Sequence, residues 1–166
     1  MPQVQQIAEE APASHRDGSF TTPMPRVDSP SALGLLVSRQ FAQCRREGGQ
    51  LALLWVEIEL LEAPGKPPCP QARDNLMQVV SLRLRNRVRG ADEVMRVGEQ
   101  GFAVLLTAAG THEVTLVERR LLQTVRGNYG VENGLMQAAV RIGTAVFPED
   151  GRNGTELAEA ARSNLR

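Results

Sequence analysis

The chain has 166 residues, room for one domain and a tail. Apolar residues make up 42% and charged residues 23%, the balance of an ordinary globular protein. Formal net charge is zero, so the total charge argues for neither nucleic acid nor an anionic membrane as partner. Of the 19 cations, Lys66 is the only lysine and the rest are arginine, a bias that genome composition explains as readily as anion binding. Cys44 and Cys69 match no zinc or redox spacing, so a reduced, cytoplasmic setting is expected, with no metal and no cofactor. No basic stretch followed by an apolar run opens the chain, and no apolar run approaches the ~20 residues that span a bilayer.

Residues 1–28 mix Pro2, Pro12, Pro23 and Pro25 with polar residues and read as a flexible tail or linker; Val4 to Ala11 has the composition of a short helix. The folded domain is expected over 29–166. Ser29-Pro30 has the form of an N-cap followed by proline at the first helical position. Leu33, Val37, Phe41 and Cys44 then repeat on one helical face, and Gly48-Gly49 ends the helix.

Leu51 to Leu61 is an apolar run with Val and Ile, expected to be a buried strand. The prolines of Ala63 to Pro70 exclude helix there. Leu76, Val79, Val80, Leu84 and Val88 define a second helix. Glu93 to Val97 and Phe102 to Leu106 flank a tight polar turn and read as a hairpin. Val114, Val117, Leu121 and Val125 define a third helix with Thr111 as its N-cap; Leu135 to Phe147 is the last strand, and a helix starts near Thr155. This alternation implies an α/β chain with a mixed sheet covered by helices.

Gly34-Leu35, Arg96 to Leu106, Ile142-Gly143 and Phe147 to Gly151 are local motifs whose order over residues from about 30 to 166 resembles the GGDEF (diguanylate cyclase) family. Gly34-Leu35 with Arg39 and Phe41 resembles the family's T-G-L-x-N-R-R-x-F stretch. Arg96-Val97-Gly98 through Phe102-Ala103-Val104-Leu105-Leu106 lies where the family reads R-x-G-G-D-E-F-A-V-L-L. Ile142-Gly143 stands in its S-I-G position, and Phe147-Pro148-Glu149-Asp150-Gly151 resembles its Y-P-E-D-G turn. The resemblance implies a nucleotidyl-cyclase-like fold, with a mixed, mainly antiparallel sheet surrounded by helices.

The family joins two GTP molecules, with two divalent metals held by carboxylates of a D-I-D strand and of the signature's third position. Here the strand reads Glu57-Ile58-Glu59, one methylene longer at each acid. The signature reads Gly98-Glu99-Gln100-Gly101-Phe102: an added carboxylate at the second position, a neutral amide at the third and a glycine at the fourth. The family's guanine-recognition pattern puts its Asn on Gly65 and its Gly-His on Cys69-Pro70; only Asp74 matches. Its phosphate-binding basic residues have no counterpart up to Arg166. The resemblance therefore implies a vestigial active site and a domain that is not an enzyme. Plain explanations stand beside it: Glu57 and Glu59 as solvated residues at a strand end, Asp74 as an acid near a helix N-terminus, and residues 99–101 as a simple turn.

Arg89-Gly90-Ala91-Asp92 is an R-x-x-D tetrapeptide six residues ahead of Gly98, the offset of the family's product-inhibition site. From 18 Arg and 5 Asp, that tetrapeptide at a fixed offset has a chance of roughly 0.3%. In the family the Arg and Asp bind cyclic di-GMP, often with an Arg from the next helix; Glu118-Arg119-Arg120 resembles that stretch. The resemblance implies a cyclic di-GMP receptor in bacterial signalling, of the kind that regulates biofilms, through Arg89, Asp92, Arg119 and Arg120. The alternatives are a scaffold that dimerises or docks on a signalling or output protein, and a weak cyclase using Glu57 and Glu59. Nucleic acid and membrane insertion are not expected.

Overall fold

The computed structural model describes residues 24–62, 70–131 and 134–166. The stretch Val4 to Ala11, most of the expected tail, and Gly65, Lys66 and Cys69 lie outside the described residues. The elements in order are β1 (Arg26–Val27), α1 (Pro30–Leu36), α2 (Ser38–Glu47), β2 (Leu51–Glu62), α3 (Pro70–Asn86), β3 (Glu93–Val97), β4 (Gly101–Thr107), α4 (Thr111–Val125), β5 (Gly127–Val131), β6 (Gly134–Phe147) and α5 (Gly154–Ser163).

The six strands form one sheet in the order β1-β3-β4-β2-β6-β5. Only β1 against β3 is parallel; the other pairings are antiparallel. The expected mixed, mainly antiparallel sheet is therefore the one observed. Strand alternation divides its side chains between two cores. Leu54, Val56, Ile58, Phe102, Val104 and Leu106 pack with Leu76, Val80, Leu84, Leu121 and Val125 of α3 and α4. Leu53, Trp55, Ala103 and Leu105 pack with Leu33, Phe41, Leu157 and Ala161 of α1, α2 and α5. Gly143 of β6 is where α5 comes closest: a Cβ there would run into the Ala161 carbonyl oxygen and lie 2.7 Å from Leu165 N.

Ser29 caps α1 as expected, its Oγ accepting from Ala32 N at 3.1 Å, with Pro30 opening the helix. The single first helix breaks at Val37 into two segments, and Gly48 ends the second in the left-handed region. Four expectations need correction. Pro70 does not exclude helix; it is the first residue of α3, where a missing N–H costs nothing. Thr111 is not the N-cap of α4. Gly110 is, and the Glu113 carboxylate supplies the capping acceptor at 2.9 Å from Gly110 N. Val79 is exposed and Val88 lies beyond the end of α3; Met77 takes the core place instead. Arg26–Val27, inside the expected tail, pairs with Arg96 and Val97 of β3. The sheet also gains β5, for which no element was expected; its Gly127, Asn128 and Gly130 are residues depleted in strands.

Candidate functional site

The β3–β4 turn consists of Gly98, Glu99 and Gln100, with Val97 paired to Gly101 across it. Gly98 has φ 60°, which glycine adopts without steric cost. Gln100 O accepts from Ile58 N at 2.8 Å, so the turn is fastened to β2. Arg96 Nη2 donates to Glu99 O at 2.6 Å, and its guanidinium lies 5.5 Å from the ring centre of Phe102, which is fully buried. Burial, and then the charge of Arg26, hold the Arg96 guanidinium below the ordinary arginine pKa. Gly101 has little room, since a Cβ there would lie 2.9 Å from Val97 O and 3.2 Å from Val56 O. This backbone is therefore tight at the position where the family signature carries glutamate.

On β2, Glu57 and Glu59 continue the face of Leu53 and Trp55 past the cover of the helices. With Gly98, Glu99, Gln100 and Gly101 they line a cavity of about 730 Å³. Six of the eight expected active-site residues are thus brought together. Three further charges share the cavity and were not expected from the sequence: Asp28, Arg141 and Arg162. Arg141 lies directly across from Glu57 in the β2–β6 ladder, and its Nη2 donates to Glu57 Oε1 at 2.8 Å. The signal was present in the sequence, because Arg141 precedes Ile142-Gly143 at the place where the S-I-G motif has serine.

This donor set does not fit a divalent cation. A hard cation needs several free oxygens. Glu57 is paired with Arg141 and Gln100 offers only an amide, and the other carboxylates lining the cavity, Asp28, Glu59 and Glu99, come from three separate segments. Among the described residues, no group of three or more His, Cys, Asp or Glu side chains is placed to hold a metal ion.

Asp74 lies apart from Glu57 and Glu59. It lines a second cavity of about 560 Å³ with Arg26, Arg73 and Arg96, on the far side of Glu99 and Gln100. Those two turn residues form a wall common to both cavities. Asp74 is the fifth residue of α3, so it sits past the first turn, where the helix dipole acts most strongly.

Arg89 and Asp92 occupy the opposite end of β3, about 17 Å away by strand rise. Asp92 is almost fully buried, its side chain 3% exposed, whereas that of Arg89 is 69% exposed. Asp92 Oδ2 accepts from Arg89 N at 3.0 Å. Asp92 Oδ1 accepts from Thr107 N at 3.0 Å and lies 3.4 Å from Thr107 Oγ1. The side chains of Arg89 and Asp92 approach only to 3.9 Å. Both carboxylate oxygens thus serve the fold, closing the α3–β3 connection onto the end of β4. Arg120 reaches the same connection, donating to Arg87 O at 3.0 Å, and Arg119 is exposed one residue before it.

The family profile for "Diguanylate cyclase, GGDEF domain" matches residues 27–166. The chain belongs to the GGDEF domain family. This GGDEF domain is 23% identical over 153 residues to "Cyclic di-GMP phosphodiesterase NbdA" of Pseudomonas aeruginosa, covering 92% of the chain and 20% of that protein. It is 27% identical over 132 residues to "Diguanylate cyclase DgcP" of the same organism, covering 76% of the chain and 19% of the relative. The chain therefore spans about a fifth of the length of these relatives. Among solved structures it resembles the GGDEF domain of YfiN from Pseudomonas aeruginosa, with a TM-score of 0.74 at 22% identity over 86% of this chain and 88% of that one. That similarity shows the shared fold. No helix among the described residues is long and apolar enough to cross a membrane.

Proposed function

We propose that this GGDEF domain does not condense GTP and acts as a regulatory module of a larger cyclic di-GMP signalling protein. The observation that carries this reading is the Arg141–Glu57 pair, 2.8 Å long, inside the cavity that also holds Gln100 at the signature's third position. In this reading the Arg141 guanidinium takes up the carboxylate oxygen that the family's reaction would need for a metal cation. Glu99 adds a further negative charge where the family has glycine, which repels a triphosphate. The kinship to both a phosphodiesterase and a cyclase is consistent with a domain serving as a partner to other modules. Incubation of the chain with GTP and Mg²⁺ or Mn²⁺, followed by chromatography, tests the reading. No cyclic di-GMP is expected; its appearance overturns the proposal.

Cyclic di-GMP as the regulator is the finer part of the proposal. Arg89 is exposed and offers a planar fork to guanine or phosphate, and Arg119 and Arg120 lie on the neighbouring helix. Asp92, already committed to Thr107 and to Arg89 N, positions the turn that presents Arg89. Calorimetry is expected to show micromolar or tighter binding that Arg89→Ala removes, and absence of heat at high protein concentration refutes it. If binding is absent while a partner is still captured and is indifferent to Arg89→Ala, the domain is a scaffold.

A further inference from the structure

The zero net charge conceals a segregation of charge. Residues 75–91 contain four arginines and no acid, and residues 119–131 contain three arginines and no acid. The rest of the chain therefore carries a net charge of −7. The fold sets the two acid-free runs side by side. Arg83 Nη1 donates to Thr124 O at 3.3 Å and Arg120 Nη1 to Arg87 O at 3.0 Å, so the C-terminal half of α3 runs antiparallel to that of α4. The acids bordering this face are occupied: Asp92 is buried in its turn, Glu113 caps α4, and Glu118 Oε2 lies 3.9 Å from Arg166.

The same face carries aliphatic side chains. Val79, Leu82 and Leu116 are 40%, 47% and 45% exposed. Val79 and Leu82 lie one turn apart on α3, and Leu116 lies one turn from Arg119 and Arg120 on α4. The two helices thus present exposed aliphatics beside Arg87, Arg119 and Arg126, for which no ion pair with a carboxylate is seen among the described residues. The two cavities beside the β3–β4 turn are lined by other residues. A broad face of this kind suits an extended anionic surface with an apolar layer beneath its charges, which is what a bilayer of acidic lipid offers.

We propose that the outer face of α3 and α4 docks peripherally on an anionic lipid surface, with Arg87, Arg119 and Arg126 meeting headgroups and Leu82 and Leu116 reaching the acyl boundary. The contact is peripheral because the helices stay packed on the sheet through Leu76, Val80, Leu84, Leu121 and Val125. This reading rests on charge placement and exposed aliphatics; it shares Arg119 with the proposed cyclic di-GMP contacts, whereas Arg87, Arg126, Leu82 and Leu116 belong to it alone.

Sedimentation of the full chain with vesicles tests it. Binding is expected to vesicles of phosphatidylglycerol with phosphatidylcholine, not to phosphatidylcholine alone, and to fall steeply between low salt and about 0.5 M salt as the charges are screened. At roughly a tenfold factor or somewhat less for each cation removed, Arg87→Gln, Arg119→Gln and Arg126→Gln together lower the partition coefficient roughly a hundredfold. The melting temperature of that variant is expected to match the parent. Should it unfold, Leu82→Ser, on an exposed position, serves instead and weakens binding severalfold. The proposal is overturned if the parent chain ignores acidic vesicles, if it binds neutral ones equally, or if a folded triple variant binds as before. It is also overturned if duplex DNA or an acidic peptide binds while acidic vesicles do not.

Discussion

Replacing Asp92 by alanine separates a residue that holds the fold from one that meets a ligand. The substitution leaves Thr107 N, a half-buried donor at 3.0 Å from the lost oxygen, without its acceptor. It also frees Arg89 N, which water can reach, and the Thr107 hydroxyl. An orphaned backbone donor costs about 1–3 kcal/mol, and a lost bond to a charged acceptor at an exposed donor adds about 1 kcal/mol. The total is about 2–4 kcal/mol, a fall in melting temperature of roughly 5–12 °C for a domain of this size. Arg89→Ala removes an exposed side chain 3.9 Å from its partner and is expected to cost no more than about 0.5 kcal/mol. Asp92→Asn keeps one acceptor and should fall between the two. Thermal and urea unfolding followed by circular dichroism measure all three. If Asp92→Ala unfolds within about 0.5 kcal/mol of the parent, the carboxylate is not holding the turn and the reasoning fails.

Three other substitutions probe different parts of the fold. Gly143→Ala places a methyl group against the Ala161 carbonyl and should destabilise the chain by about 3 kcal/mol or more, read from its urea midpoint. Restoring the family signature with Glu99→Gly, Gln100→Asp and Gly101→Glu should yield no cyclic di-GMP, because Glu57 remains paired with Arg141; the product assay of that variant decides. The bond from Gly110 N, the first of its causes, holds the Glu113 carboxyl below its usual 4.5. A depressed folded pKa stabilises fully above the unfolded value and is lost as pH falls through the folded one. The stability difference between the parent and Glu113→Gln should therefore be constant at neutral pH and shrink below about pH 4.5; a difference independent of pH down to pH 2 contradicts the assignment.

Much of the fold was legible because local chemistry and burial agree along most of the chain. Ser29-Pro30 and Gly48 mark helix ends by rules that act within a few residues, and Leu51 to Val56 is apolar on both faces because helices cover both. Sequence and structure part where the deciding partner is distant along the chain. Arg26–Val27 becomes a strand only because Arg96 and Val97 offer a free edge. Gly127 to Val131 looks like a loop until β6 pairs with it. The signature's position was clear from its flanking residues, and Arg141 was marked by the serine it replaces, but its pairing with Glu57, 84 positions away, comes from the β2–β6 register. Asp92 was visible as half of a tetrapeptide, but its bonds to Thr107 come from the hairpin's closure. Total charge, finally, says nothing of where like charges gather once α3 and α4 lie side by side.

The β3–β4 hairpin is held at both of its ends. Asp92 rivets one end to the α3 connection and to Thr107, while Gln100 O and the Arg96 guanidinium fasten the other to β2 and to its own turn. Between these fastenings run five paired residues of β3 with no bulge to absorb slack. Such a segment works as a stiff connecting rod. The ladder runs unbroken from the Asp92 turn to the partition formed by Glu99 and Gln100, so one stretch of paired backbone joins the Arg89 turn to the wall between the two cavities.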